Sequence, residues 1–258
     1  MAAKKNRAPE LDFLRGFALF MMVLMHFAYD IRYEFDVPVF GFLESKWFWA
    51  FVHPFFLVIF VGVSGVCCTF SRNNFIRGLK LLGVAAGLTL VTWLISRYAG
   101  IECLIIFNVL ALLAVGILVY ALVQLIEKTA HIRPVVINVF LGFFGAYFTA
   151  LGNSINWMDY STENLLFLPV GFAIKNAPQV ADSMKIFPWL GVFLIGCVIG
   201  RVCYSKKESL LPESMKKFHK VSVPFEFMGK HSLIIYLVHQ PLVYGILYVI
   251  FLALGKIK

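Results

Sequence analysis

The chain has 258 residues, of which 60% are hydrophobic and only 14% are charged, and 27 of them are phenylalanines. An ordinary globular domain is roughly 45–50% apolar and about 25% charged. A soluble protein of this size cannot bury so much apolar surface, so the composition excludes a soluble globular fold, a disordered chain and a disulfide scaffold. It leaves a polytopic membrane protein, and the length suits about seven spans of ~20 residues.

Apolar runs follow one another along the chain and are separated by short polar segments. Each run should be a helix, because backbone groups in hydrocarbon must pair within their own segment. A weaker stretch, 165–174, is too short to span and is expected to re-enter the membrane or to lie on its surface. The predicted fold is an all-α polytopic membrane helix bundle forming a single domain over 1–258. Its spans are predicted at 13–31, 47–70, 78–96, 104–126, 134–151, 186–204 and 232–254.

The net charge of +9 would suggest a nucleic-acid partner in a soluble protein, but here it is assigned to membrane topology. With the N-terminus in the cytosol, 15 Lys and Arg residues fall in inside loops and 7 in outside loops and the tail. Because cytosolic loops are enriched in Lys and Arg, residues 1–12 and 205–229 are predicted to be cytosolic and the C-terminus to lie outside. No nucleic-acid partner is expected.

The first helix carries the densest set of ionisable residues, and such residues inside a membrane are costly and mark function by default. Asp12 and Arg15 can pair near its cytosolic end. His26 and Asp30 are four residues apart and share a face, so the carboxylate could orient the imidazole as a general base. Spacing alone leaves open a His–Asp pair that simply reaches the outer membrane surface.

Further polar residues lie in other predicted spans. His53 is expected at a depth near His26, where it is either a site residue or an interfacial histidine beside an aromatic belt. His239 and Gln240 precede a proline near mid-membrane, which favours a polar cavity over a packing node. Asn108 is either an interhelical hydrogen-bonding residue or a substrate ligand. Arg201, at the end of the sixth run, is expected to extend to the membrane surface.

The ionisable residues therefore fall into two layers. Cations at the cytosolic ends suit phosphate groups, and the candidates for this role are Arg15, Arg72 and Lys230. A deeper layer with His26, Asp30 and His239 suits proton transfer. The five cysteines are expected to be small core residues, and no metal site is predicted.

Four segments resemble a known family. They are Glu10-Leu-Asp-Phe-Leu-Arg-Gly16 followed by MVLMHF, IIFNVLALLAVG (105–116), FPWLGVFLIGCVIGR (187–201) and FMGKHSLIIYLVHQP (227–241). In this order they are similar to bacterial members of the heparan-alpha-glucosaminide N-acetyltransferase catalytic-domain family. The matching polar and glycine positions are Asp12, Arg15, Gly16, His26, Asp30, Lys230, His231, Ser232, Tyr236, His239 and Gln240.

The resemblance implies a membrane acyltransferase that moves an acetyl group from cytosolic acetyl-CoA to a sugar amine on the far side of the membrane, assisted by a histidine. The animal lysosomal enzyme is longer at its N-terminus and has its histidine in the loop after the first helix, whereas residues 31–46 here contain none. The chemistry therefore does not transfer directly, and His26 aligns to a polar position within the helix.

The sequence thus predicts an integral acetyltransferase of the bacterial cytoplasmic membrane that uses acetyl-CoA, or a similar acyl-CoA, and a saccharide-type amine or hydroxyl acceptor. His26, Asp30 and His239 are predicted to be catalytic. Arg15, Arg72, Lys230 and Asp12 are predicted to bind the donor, and His53, Gln240 and Asn108 the acceptor. His239 or Gln240 is expected to donate a hydrogen bond to the oxyanion. Other hypotheses are a transporter or flippase for an anionic solute and a structural membrane subunit. The oligomeric state stays open, a homodimer included.

Overall fold

A computed structural model describes residues 8–157, 160–175, 180–211 and 219–255. These residues form eight α-helices and one pair of two-residue strands. The helices are α1 (Pro9–Tyr29), α2 (His53–Cys68), α3 (Asn74–Ala99), α4 (Val109–Thr129), α5 (Pro134–Trp157), α6 (Trp189–Val202), α7 (His219–Lys230) and α8 (Ser232–Ala253). The strands are β1 (Ser161–Thr162) and β2 (Ala173–Ile174), which pair in parallel.

The prediction of an all-α polytopic membrane bundle is confirmed. Six helical stretches among the described residues are long and apolar enough to cross a membrane: Pro9–Glu34, Phe48–Cys68, Asn74–Ala99, Val109–Thr129, Pro134–Gly152 and Ser232–Ala253. The sixth predicted run, 186–204, forms the shorter helix α6, which has 14 residues. Its N-cap is Pro188. Proline has no backbone N–H, so it cannot form the hydrogen bond that would extend the helix toward the N-terminus. The helix therefore covers less of the predicted run than the hydropathy suggests.

The weaker stretch 165–174 contains no α-helix. A single 3₁₀ turn, Leu165–Phe167, is followed by turns and by β2. Leu166 is 81% exposed. Lys175, the residue after β2, donates its backbone N–H to the carbonyl of Thr162 in β1. The segment between α5 and α6 is therefore folded on itself by backbone hydrogen bonds, while its position relative to a membrane stays a prediction.

Two compact units make up the chain. The first comprises Met1–Val63 and Lys206–Lys258, and the second comprises Ser64–Ser205. The division falls within α2, so that helix begins in the first unit and ends in the second. In the first unit α1 packs against α7 and α8, and in the second unit α3 packs on α4 while α5 packs on α6.

Helix α7 is the element that the sequence analysis missed in the first unit. Residues 205–229 are predicted to be cytosolic, and from His219 onward they form a helix packed on α1. A Cβ built on Gly16 would lie 1.8 Å from the carbonyl oxygen of Phe225, and one built on Gly229 would lie 1.9 Å from that of Asp12. Only glycine allows two backbones to approach so closely, and Phe225 then packs edge-on against Phe13, Phe17 and Phe20.

The second unit is organised around α4, whose inward residues include the fully buried Leu112, Ile117 and Tyr120. Arg201 of α6 is predicted to extend to the membrane surface, but the structure shows otherwise. It forms a bidentate ion pair with Glu127 of α4, with N···O distances of 2.8 and 2.5 Å. Its Nε also donates to Asn138 of α5 at 2.5 Å. Because a guanidinium and a carboxylate match in shape, this group ties three helices together.

Candidate active site

The candidate site of the first unit lies where α1 and α8 face each other. The rings of His26 and His239 are 5.0 Å apart between centroids. The Asp30 carboxylate accepts hydrogen bonds from the Gln240 side-chain amide nitrogen, at 3.0 Å to Oδ1 and 3.2 Å to Oδ2. The structure thus brings Gln240 together with the three residues that the sequence analysis placed in the deeper layer, and it adds the way in which the four pair.

His239 is fixed in a defined orientation. Its Nδ1 lies 2.6 Å from the backbone carbonyl oxygen of Tyr236. A carbonyl oxygen only accepts hydrogen bonds, so Nδ1 carries the proton and a neutral ring leaves Nε2 as a bare acceptor. His239 is 7% exposed, and its Nε2 has no hydrogen-bond partner among the described residues. A buried imidazole with a free acceptor nitrogen is suited to taking a proton from a bound ligand.

Asp30 differs from its expected role. The sequence analysis expected this carboxylate to orient His26, but the hydrogen bonds that fix Asp30 come from Gln240 on the opposite helix. Asp30 is 1% exposed. Since its oxygens hold the Gln240 amide nitrogen, the expected donation from Gln240 to an oxyanion is not the arrangement that the structure shows.

His53, which is predicted to lie at a depth near His26, is the first residue of α2. Its ring packs against Trp49 at 4.9 Å between centroids. A π-helical turn, Phe48–Val52, leads directly into His53, and a second one, Asp30–Glu34, follows His26 and α1. Such wide turns occur frequently at functional sites, and here they flank the histidines on both chain segments.

The opposite end of α1 carries the predicted donor-binding residues of the first unit. Arg15 is half-buried, and its Nε is buried without a hydrogen-bond partner among the described residues. Lys230 lies 3.5 Å from the Glu226 carboxylate, so its charge is partly balanced. Asp12 contacts α7 through its backbone, which lies against Gly229. Arg15 is therefore the cation best placed to receive an anion from a ligand.

Two predicted site residues belong to the second unit. Arg72 is exposed in the turn between α2 and α3. Asn108 is 2% exposed and is the N-cap of α4, where its Oδ1 accepts from the backbone N–H groups of Leu110 and Ala111. Asn108 thus has a local structural role, and its proposed contact with a substrate stays a prediction.

Sequence reasoning missed Tyr236 as the residue that orients His239 and missed Glu226 as a buried carboxylate of α7. Both are recognisable in hindsight from spacing. Tyr236 precedes His239 by three residues, within reach of its ring across one helical turn, and Glu226 precedes Lys230 by four. Neither spacing would have been decisive, because such pairs are frequent on helices.

Comparison with known proteins decides the family. The family model described as "Heparan-alpha-glucosaminide N-acetyltransferase, catalytic" matches residues 7–241. The chain belongs to this family. No match was found among curated proteins or among solved structures. The match includes α1, α7 and the part of α8 that carries His239 and Gln240, so all four paired residues lie within the family domain.

Family membership and the apolar helices together identify a membrane protein of acetyltransferase type. No group of three or more histidine, cysteine or acidic side chains suited to hold a metal ion was found in the part of the chain that the structure describes.

Proposed function

We propose that this heparan-alpha-glucosaminide N-acetyltransferase family member transfers an acetyl group from acetyl-CoA to an amine or hydroxyl of a saccharide-type acceptor. We place it in the cytoplasmic membrane of a bacterium, with its N-terminus in the cytosol and its C-terminus outside. The fifteen-to-seven distribution of Lys and Arg between the two sides supports this orientation. The observation that carries the chemistry is the buried acceptor nitrogen of His239 beside the His26 ring.

The donor is assigned to the Arg15 end of α1. A guanidinium with an unpaired buried nitrogen needs an anion, and phosphate is a geometrically matched one. Acetyl-CoA carries phosphates and would supply the acetyl thioester. Lys230, already beside Glu226, would add a weaker contact, and Asp12 completes the predicted donor set of the first unit.

The proton transfer is assigned to His239. The acceptor's N–H or O–H group attacks the thioester carbonyl carbon while His239 Nε2 removes the proton. The carbon–sulfur bond then breaks, and the departing thiolate takes the proton back from His239, so that the products are the acetylated acceptor and free CoA. General base assistance of this kind contributes roughly 10²–10⁴-fold to a rate.

His26 receives a different role from the one that spacing suggested. A neutral imidazole keeps one N–H, and the His26 ring lies against the His239 ring. We assign His26 to donate that hydrogen to the developing oxyanion, a contribution of roughly 10²–10³-fold. His53, at the start of α2, would line the acceptor side.

The test uses purified protein in detergent. Acetyl-CoA binding is measured by calorimetry, and release of free thiol is followed with D-glucosamine as the acceptor. Arg15→Ala should weaken acetyl-CoA binding, whereas His26→Ala should bind acetyl-CoA normally and release thiol at least about 100-fold more slowly. His131→Asn, in the turn after α4, is the matched control and should behave as wild type.

Saturable binding with thiol release supports the proposal. No binding at millimolar acetyl-CoA contradicts it and would favour the hypothesis of an anion transporter, which uptake into proteoliposomes would then test.

A further inference from the structure

We infer that Gln240 binds the acceptor through its side-chain carbonyl oxygen and that Asp30 is the positioning residue that turns this oxygen toward the acceptor. The inference rests on the proposed function, because it names the groups that hold the nucleophile of that reaction. It concerns only α1 and α8 of the first unit.

The orientation of the Gln240 amide follows from its partner. An ionised carboxylate can only accept hydrogen bonds, so the end of the amide that faces Asp30 must be the nitrogen. The distances of 3.0 and 3.2 Å to the two carboxylate oxygens place that nitrogen astride both. The carbonyl oxygen Oε1 is thereby directed away from Asp30.

That oxygen is left without a donor. Gln240 Oε1 is buried and has no hydrogen-bond partner among the described residues. Buried polar atoms nearly always find a partner, and leaving one unpaired is unfavourable. An unpaired buried acceptor in a candidate active site therefore points to a ligand that brings the missing hydrogen.

A second unfilled acceptor lies on the neighbouring residue of the same helix. His239 Nε2 is also buried without a partner in the described part of the chain. Two acceptors require a ligand with hydrogen-bond donors, such as an amine or the hydroxyls of a sugar. A thioester carbonyl and a phosphate offer only acceptors, so they do not match this place. An acceptor with amine or hydroxyl groups fits it, and the thioester carbonyl and phosphates of the acyl donor do not.

Asp30 acts through Gln240 in this arrangement. Asparagine at position 30 keeps an oxygen that can accept from the Gln240 nitrogen, although it removes the charge. Leucine removes both the charge and the hydrogen bond. Comparing the two substitutions separates orientation of Gln240 from an electrostatic effect of the carboxylate.

The experiment measures kcat and KM for D-glucosamine and, as a probe with hydroxyls only, D-glucose. Gln240→Met should raise the KM of the acceptor on the order of 10-fold, as expected for one lost hydrogen bond to a ligand, with the KM of acetyl-CoA unchanged. Asp30→Leu should do the same, whereas Asp30→Asn, which keeps an oxygen for the Gln240 nitrogen, should raise this KM less. The double variant Asp30→Leu/Gln240→Met should be no worse than Gln240→Met. Val238→Met, on the exposed side of α8, is the control.

Several results would overturn the inference while leaving the proposed function intact. They are an unchanged acceptor KM in Gln240→Met, equal damage from Asp30→Asn and Asp30→Leu, and additive losses in the double variant. An unchanged KM would also mean that water alone satisfies Oε1. If the wild-type protein releases thiol with neither sugar, the assignment of a saccharide acceptor fails instead.

Discussion

The contact between α1 and α7 depends on the absence of a side chain at Gly16. A Cβ at this position would lie 1.8 Å from the Phe225 carbonyl oxygen, and ordinary contact begins at 3.4 Å. Gly16→Ala therefore requires the two helices to separate by about 1.6 Å there. The obstructing atoms belong to the backbone, so no side chain can rotate away, and the cost should reach the upper end of overpacking penalties, about 3 kcal/mol.

Alanine also favours the helical state over glycine by about 1 kcal/mol, which leaves a net loss of about 2 kcal/mol. In a chain of this size, that corresponds to a decrease in Tm of roughly 4–8 °C. The assay is thermal unfolding of the purified protein in detergent, followed by intrinsic fluorescence or light scattering.

Gly245→Ala is the matched control for this prediction. Gly245 lies within α8 of the same unit, and a Cβ there would have no neighbour within 4 Å, so this substitution should leave Tm unchanged or raise it slightly. If Gly16→Ala is as stable as Gly245→Ala, the close packing of α7 on α1 is wrong.

Three other predictions concern the second unit and use the same unfolding assay. Glu127→Gln should lower the free energy of unfolding by about 3–5 kcal/mol, because it leaves the Arg201 charge unpaired. The double variant Glu127→Leu/Arg201→Met should recover most of that stability, and equal instability of both variants would contradict the ion-pair account. Burial raises the pKa of the Asp182 carboxyl above its ordinary value, so folding favours the protonated carboxyl and the stability of the fold falls as rising pH ionises it. Asp182→Asn should therefore raise Tm at neutral pH but not at acid pH. A Tm gain independent of pH would refute this reasoning. Asn108→Ala should cost about 1 kcal/mol by removing the cap of α4, whereas Asn108→Ser keeps the capping oxygen and should cost less; equal losses would mean that the cap does not matter.

Hydrophobic runs predicted the helices well because a membrane imposes one simple requirement, namely paired backbone groups over an apolar length. The same rule explains the misses. Helix α7 has 12 residues and a proline within it, so no hydropathy window detects it, and its packing depends on Gly16 and Gly229, which are distant in sequence. Helix α6 is shorter than its apolar run because Pro188 defines its start.

The candidate site could be predicted in its residues but not in its pairing. Spacing on α1 placed His26 and Asp30 on one face, and the polar pair before Pro241 was recognisable on α8. The register between α1 and α8 was not accessible from either helix alone. That register pairs Asp30 with Gln240 and His26 with His239. Asp30 therefore holds Gln240 and not His26, the partner that spacing on α1 suggested. The proton position on His239 likewise depends on the Tyr236 carbonyl, a backbone atom that no side-chain pattern reveals.

The central claim is that His239 Nε2 is the base in acetyl transfer, and His239→Asn tests it most directly. The asparagine amide nitrogen can take over the hydrogen bond to the Tyr236 carbonyl, so the helix is preserved while the acceptor nitrogen is lost. Thiol release from acetyl-CoA with D-glucosamine would be measured for wild type, His239→Asn and His131→Asn. The account predicts unchanged acetyl-CoA binding and thiol release slowed at least about 100-fold in His239→Asn alone. Wild-type rates in that variant would contradict it.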